Sequence, residues 1–374
     1  MSNILMINLP FSGHVNPTLP LTAELVRRGH KVDYICSEQF REKLVKTGAN
    51  FIPYISFPEN PTENEKKKIS FQAAYDTAMS LTQKYDVLIY EMFFYPGIKV
   101  AGNLGIPCVR QFSQPAWNDE TWKDTPQIFK LSSMLIDVQV MGKNRIKEMQ
   151  LPFKSMDDAI RHSRPDMNIV YIPEGFQNRR ESFDDTFYYI VPRQEPVKGK
   201  IEIPYEKMEK PIVYISLGSI ISDKSFYKKC LKIFGDKRVT VILNTGKIKP
   251  ESLGRVPKNI YAYSFVPQVE VLQHTDVFLT HCGMNSVNEA ICAGVPMVAM
   301  PFLNDQLENG RQIARLGLGK RIHAFPSRSK EIAEAVNEVI RNPIYKSNVE
   351  RLKEEVGRTS NWDAIIDKIE ALCK

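Results

Sequence analysis

Two hydrophobic periods alternate along this chain, and that alternation restricts its fold more than any other feature. Short apolar runs rich in β-branched and aromatic residues are separated by longer segments with helical spacing. A strand followed by a helix and another strand pairs in parallel, because the helix carries the chain back across one face of the sheet. In the first half, Ile4–Leu9, Lys31–Cys36, Phe51–Tyr54, Asp86–Tyr90, Pro107–Phe112, Ile169–Ile172 and Phe187–Val191 read as strands. Helical spacing falls near Leu19–Arg28, Glu38–Thr47, Ser70–Lys84, Gly97–Leu104 and Gln127–Met149. Between Pro192 and Pro211 the pattern stops; Pro196, Gly199 and Pro204 stand among charged residues, the composition of a linker. It restarts with strands at Ile212–Leu217, Val239–Asn244, Asn259–Tyr263, Val277–Thr280 and Pro296–Met300. Helices are expected at Phe226–Phe234 and Ser286–Ala293, and then at Gln306–Leu316, Lys330–Arg341, Asn348–Glu355 and Trp362–Leu372.

The expected fold class is therefore α/β, with two doubly wound parallel sheets. Residues 1–195 form the first domain, 196–211 the linker, 212–355 the second domain, and 356–374 a terminal helical segment. A chain of 374 residues exceeds the usual single domain, in agreement. Its 43% hydrophobic and 25% charged residues supply cores and exclude disorder. No apolar run approaches the roughly 20 residues that span a bilayer. The N-terminal stretch lacks a basic leader, and Asn8 and Pro10 interrupt it, so it reads as a first strand and not a secretion signal. The six cysteines have no paired spacing and are expected as reduced thiols, which places the protein in a cytoplasm. A net charge of +7 admits anionic partners. The basic residues nevertheless form no block, and no zinc spacing or RNA-binding signature appears, so nucleic acid is not expected.

In doubly wound sheets of order 3-2-1-4-5, ligands bind outside the carboxyl ends of strands one and four, where the winding reverses. In the first domain these ends carry the loop Leu9–Pro17 and the residue Glu91, so His14 and Glu91 are expected to face each other. An imidazole oriented by a carboxylate is a general base. The same positions also suit a histidine capping the next helix and a glutamate at a loop edge. In the second domain the ends carry Ser216–Ser219 and His281–Ser286, the latter opening a helix. Gly283 permits close backbone approach, Asn285 and Ser286 can cap the helix, and its N-terminus then offers a phosphate site. A polar cap without a ligand is the other reading. No P-loop and no GxGxxG are present, which removes the main support for NTPases and dehydrogenases.

The stretch from Ser264-Phe265-Val266-Pro267-Gln268 through THCGMNSVNEAICAGVPMVAMPFLNDQLENG, Thr280–Gly310, resembles the signature of nucleotide-sugar-dependent glycosyltransferases of the UDP-glycosyltransferase superfamily. Ser12–Pro17, SGHVNP, is similar to the N-terminal motif of its bacterial, macrolide-type members. The resemblance covers nearly the whole chain. It implies a GT-B fold: two Rossmann-like domains facing across a cleft, with the terminal helix crossing back onto the first. It also implies roles. His14 stands where the family keeps its catalytic base, and Glu91 where the family usually has the supporting Asp. Phe265 replaces the Trp that stacks on uracil, next to Val266. Gln268 matches the residue that touches base or ribose, and Glu289 the one on the ribose hydroxyls. His281, Gly283, Asn285, Ser286 and Ser219 match the diphosphate-holding positions, and Asp305 with Gln306 the pair that reads sugar hydroxyls.

The expected reaction is transfer of a hexose from a nucleotide sugar, UDP-glucose first, to a hydroxyl of a hydrophobic small molecule. Direct displacement inverts the anomeric configuration. The leaving charge falls on the phosphate turn, without a metal or other cofactor. Apolar acceptor contacts are expected from Ser56–Tyr75 and Phe93–Met149, including Phe57, Phe71, Phe93, Phe94, Trp117, Trp122 and Phe129. A monomer or weak dimer without stable membrane insertion is expected. Three other readings compete: a lipid glycosyltransferase at a membrane surface, a nucleotide-sugar epimerase, and a non-catalytic partner protein that keeps the fold.

Overall fold

The computed structural model describes residues 1–143, 150–192, 201–218, 221, 223–302, 305–326 and 328–373. Two compact units are present, one of Met1–Pro192 with Thr359–Lys374 and one of Arg193–Arg358. The end of the expected helix near Met149, and Pro196 and Gly199 of the expected linker, lie outside the described residues.

The first unit holds β1 (Asn3–Ile7), β2 (Lys31–Cys36), β3 (Asn50–Pro53), β4 (Val87–Glu91), β5 (Cys108–Phe112), β6 (Met167–Val170) and β7 (Phe187–Tyr189). They form one sheet in the order β3-β2-β1-β4-β5-β6-β7, every pair parallel. The second unit holds β8 (Ile212–Ser216), β9 (Thr240–Asn244), β10 (Ile260–Tyr263), β11 (Val277–Thr280), β12 (Met297–Ala299) and β13 (Gly319–Arg321). Its order, β10-β9-β8-β11-β12-β13, is again all parallel. Both sheets thus reverse between their first and fourth strands. Strands β4, β8 and β11 are buried throughout, which explains why they read as largely apolar runs and not as alternating ones; β5 is buried too, with Arg110 and Gln111 inside it.

Several elements differ from expectation for local reasons. The helix expected from Ser70 starts at Glu63, because Thr62 and Glu65 form a reciprocal capping box. The segment Glu38–Thr47 shrinks to a 3₁₀ turn, Glu38–Phe40, and a short helix, Arg41–Val45. The loop after β1 contains a one-turn helix, Ser12–Val15. Helices Asp119–Asp124 and Met156–His162 add to the stretch between β5 and β6. Strand β13, three residues long with two exposed, has no apolar period to announce it.

The last helix, Trp362–Leu372, belongs to the first unit. Trp362, Ile365, Ile366 and Ile369 join the same core cluster as Ile4, Tyr34 and Ile89. Arg28 pairs with Asp363 and Asp367, and His30 with Glu370 at 2.9 Å. The two aspartates are 71% and 65% exposed, so each of those pairs is worth about 0–1 kcal/mol at most. Burial of the isoleucines dominates. Ile366→Ala should therefore cost about 2–5 kcal/mol, whereas Asp363→Ala should cost under about 1 kcal/mol. Urea unfolding of the two variants checks the ranking, and equal losses would show that the ion pairs anchor the helix.

Candidate active site

In the first unit, parallel pairing sets Ile7 of β1 beside Tyr90 of β4, so the chain leaving β1 runs past Glu91, the last residue of β4. His14 Nδ1 lies 2.9 Å from Glu91 Oε1. The Glu91 carboxyl is fully buried, and its Oε2 accepts the Phe93 N–H at 2.9 Å. A carboxylate only accepts, so Nδ1 of His14 carries the proton and Nε2 is the basic nitrogen. The longer acid does reach the imidazole. Ser113 Oγ, at the end of β5, lies 3.4 Å from both His14 Nδ1 and Glu91 Oε1. The Asn8 amide lies 3.3 Å from the His14 carbonyl and holds the one-turn helix from below.

Rings flank this imidazole. Phe11 and Phe93 have centroids 5.6 and 5.3 Å from it. Phe93 continues edge-on to Trp117 at 5.7 Å, and Trp117 to Trp122 at 5.3 Å and Phe129 at 5.7 Å. Of the aromatic residues expected to meet an acceptor, Phe57, Phe71 and Phe94 do not join this wall: Phe57 packs edge-on to Tyr54 at 5.1 Å, and Phe71 and Phe94 are buried in the core.

In the second unit the paired strands β8 and β11 end in Gly218, at φ +73°, and in His281-Cys282-Gly283. A Cβ at Gly218 would come within 2.5 Å of the His281 imidazole, and one at Gly283 within 2.6 Å. The ring therefore fills a slot that only two glycines leave open. Burial pushes its pKa down to about 4, so it serves as a neutral N–H donor and not as a cation. Its Nδ1 has no hydrogen-bond partner.

The following helix, Met284–Ala293, begins with Gly283 at its N-cap and no side-chain cap. The expected capping by Asn285 and Ser286 is thus corrected. The turn at Cys282 and Gly283 starts the helix early and places both residues inside its first turn. The N–H groups of that turn have no intrahelical acceptor. Ser286 Oγ instead accepts from Gln268 Nε2 at 3.0 Å.

Gln268 also donates to Glu289, and its Oε1 accepts from the buried Tyr214 hydroxyl at 2.9 Å. Burial pushes the Glu289 carboxyl up to about 7, with the Gln268 bond opposing. Phe265 is 53% exposed beside the buried Val266, so its ring face is available. Asp305 opens the helix Asp305–Arg315, and Gln306 is buried with its Oε1 accepting the Phe302 N–H at 3.0 Å. Ser219 lies outside the described residues.

The structure thus joins His14 to Glu91, and Gln268 to Ser286 and Glu289. Ser113, Asn8, Tyr214 and Asn309, whose Nδ2 donates to the Cys282 carbonyl at 2.9 Å, support these groups and were not expected. Nothing in their local sequence marks Asn8, Ser113 or Tyr214. Asn309 carried a signal, since it follows Asp305 by one helical turn. Among the described residues, no three His, Cys, Asp or Glu side chains converge where a metal ion could sit.

Burial gives the second unit two opposed proton linkages. His281 titrates near 6.5 unfolded but about 4 folded, so its stabilisation is lost as pH falls between those values. Glu289 titrates near 4.5 unfolded but about 7 folded, so its stabilisation is lost as pH rises between those values. Each shift corresponds to roughly 3 kcal/mol, and across the shared window they cancel. Urea unfolding against pH should show Glu289→Gln gaining stability from pH 4 to 6.5 and His281→Asn losing it from 4.5 to 7. Parallel slopes in the two variants would overturn the assignment.

Comparison with known proteins identifies the family and the fold. The family model for UDP-glucoronosyl and UDP-glucosyl transferase matches residues 193–355. The NDP-glycosyltransferase YjiC of Bacillus licheniformis is 30% identical over 391 residues, covering 99% of this chain and 97% of that one. The demethyllactenocin mycarosyltransferase of Streptomyces fradiae is 26% identical, covering 100% and 87%. Among solved structures, the kitacinnamycin glycosyltransferase superposes with a TM-score of 0.84 at 25% identity, covering 99% and 98% of the two chains. The calicheamicin glycosyltransferase CalG4 gives 0.79 at 26% identity, covering 100% and 98%. This chain therefore belongs to the UDP-glycosyltransferase superfamily, bacterial natural-product type, and is a sugar transferase of the GT-B fold.

Proposed function

We propose that this chain transfers a hexose from a UDP-sugar, UDP-glucose foremost, to a hydroxyl of a hydrophobic natural product. The hydrogen bond between His14 and a fully buried Glu91, bordered by a wall of rings, is the observation that carries the reading. His14 Nε2 takes the acceptor's proton as its oxygen bonds to the anomeric carbon, and the C1–O bond to UDP breaks on the opposite face. The sugar is inverted, and the imidazolium is stabilised by Glu91. UDP leaves onto the N–H groups of the His281–Ser286 turn, with the neutral His281 ring as a further donor and no metal required. Gln268 and Glu289 hold the ribose, Phe265 stacks on the base, and Asp305 with Gln306 meets the sugar hydroxyls.

Relatives named as a demethyllactenocin mycarosyltransferase and an oleandomycin glycosyltransferase support this acceptor class. Among the described residues no helix is long and apolar enough to cross a membrane. The membrane-surface alternative rested on net charge. Residues 193–358 hold 26 Lys and Arg against 18 Asp and Glu, while the rest of the chain holds 24 against 25. The exposed apolar stripe Leu131, Met134, Leu135 and Val138 lies in the near-neutral part, so charge and apolar surface do not coincide. The positive half is the one that receives the anionic donor.

UDP release from UDP-glucose with a phenol panel, in EDTA, tests the reading. His14→Ala should lower turnover about 10²–10⁴-fold on an alcohol, and less on an acidic phenol at high pH, which ionises unaided. Glu91→Gln should cut turnover while leaving UDP affinity unchanged. Parent-like rates in both variants would remove the dyad from catalysis.

Donor choice follows from Glu289. Its two oxygens match the 2′- and 3′-hydroxyls of ribose, and a deoxyribose leaves one unmatched at about 1–3 kcal/mol. UDP-glucose should therefore exceed TDP-glucose about 5- to 150-fold in kcat/KM. The margin should be wider at pH 8 than at pH 6, because the Glu289 carboxyl ionises near 7. Glu289→Ala should erase most of it, and equal kcat/KM in the parent would show that Glu289 does not read the ribose.

A further inference from the structure

Cys282 sits at φ +69° and is fully buried. The other non-glycine residues at positive φ among those described, Ser56, Gln150, Arg179 and Asp236, are all exposed. A side chain in this region is strained, and such strain persists only where surrounding bonds over-determine it. The bonds here are specific. The Cys282 N–H donates to Thr280 Oγ1 at 3.2 Å, and the Cys282 carbonyl accepts from Asn309 Nδ2 at 2.9 Å. A carbonyl only accepts, so the Asn309 amide nitrogen must face it. Asn309 is fully buried, and no other side chain bonds that carbonyl among the hydrogen bonds described. The peptide it holds joins Cys282 to Gly283, whose own position is tight against the His281 ring. Any rotation of this peptide re-aims the first N–H groups of the helix Met284–Ala293.

We propose that Asn309 is the positioning residue of the diphosphate turn: it clamps the left-handed Cys282 peptide and so aims the turn's N–H groups at the donor's phosphates. Asn309 touches no substrate; it acts through the backbone. The inference rests on the reading above that this turn receives UDP, and the experiment separates the two.

Binding of UDP and of uridine is measured by calorimetry and ligand-observed NMR on the full chain. Asn309→Leu should weaken UDP about 10- to 100-fold, the scale of bonds aimed at a charged group, and leave uridine unchanged. If that variant does not fold, Asn309→Ala, which has no bulk to clash, gives the same readout. Adding Cys282→Gly should recover most of the UDP loss, because glycine adopts positive φ without a clamp. A variant that loses uridine and UDP alike would reduce Asn309 to a packing role, and so would a double variant weaker than the single. UDP affinity unchanged in Asn309→Leu would overturn the inference alone. A parent chain that binds no UDP would overturn the diphosphate reading and this inference with it.

Discussion

In a parallel sheet each connection must return over one face, and where the winding reverses, two neighbouring strands send their connections to opposite faces. The carboxyl ends of those two strands are then left uncovered side by side. Here the pairs are β1 with β4 and β8 with β11. The register Ile7 against Tyr90 brings a loop histidine onto a strand-end carboxylate. The register Thr280 against Ser216 brings Gly218 and Gly283 close against one imidazole. Two different chemistries arise from one topological constraint applied twice.

The polar groups at these ends are buried, and burial decides how each behaves. His281 cannot hold a second ring proton at neutral pH, so its usefulness lies in direction and not in charge. Glu289 stands near the middle of its titration at pH 7, poised between a donor and an acceptor form. A solvated site built from the same residues would show neither property, because water would restore both groups to their ordinary ranges.

Much of this was legible in the chain. Strands buried on both faces announce themselves as apolar runs, and the two-period alternation implies parallel pairing; the strand order comes from the common doubly wound arrangement, which the sheets follow. His14 and Glu91 could be paired because topology alone brings their strands together. Less legible were features set by a few dihedral angles or by distant contacts. The Thr62–Glu65 capping box was visible as spacing, yet the charged run Glu63–Lys68 concealed a helix that has almost no apolar face. Strand β13 is an edge strand of three largely polar residues, held by its neighbour's backbone. Asn285 and Ser286 look like caps, but a left-handed cysteine moves the helix start ahead of them. Tyr214 reads as one more core aromatic, since nothing in sequence reveals that its hydroxyl ends at a glutamine 54 positions away.

The rings beside His14 have one more consequence. Phe11, Phe93, Trp117, Trp122 and Phe129 present faces and edges, and these rank ligands by flatness and contact area. Apolar surfaces of this kind separate analogues by only about 10- to 200-fold, far less than a site that must satisfy a buried hydrogen bond. Among these five rings only the indole N–H groups of Trp117 and Trp122 are polar, so, if the proposed function holds, a flat molecule carrying several hydroxyls can slide along the wall and present each of them to the same base. Such an acceptor would leave the enzyme as a family of positional isomers, in proportions set by the acceptor's own shape and acidity.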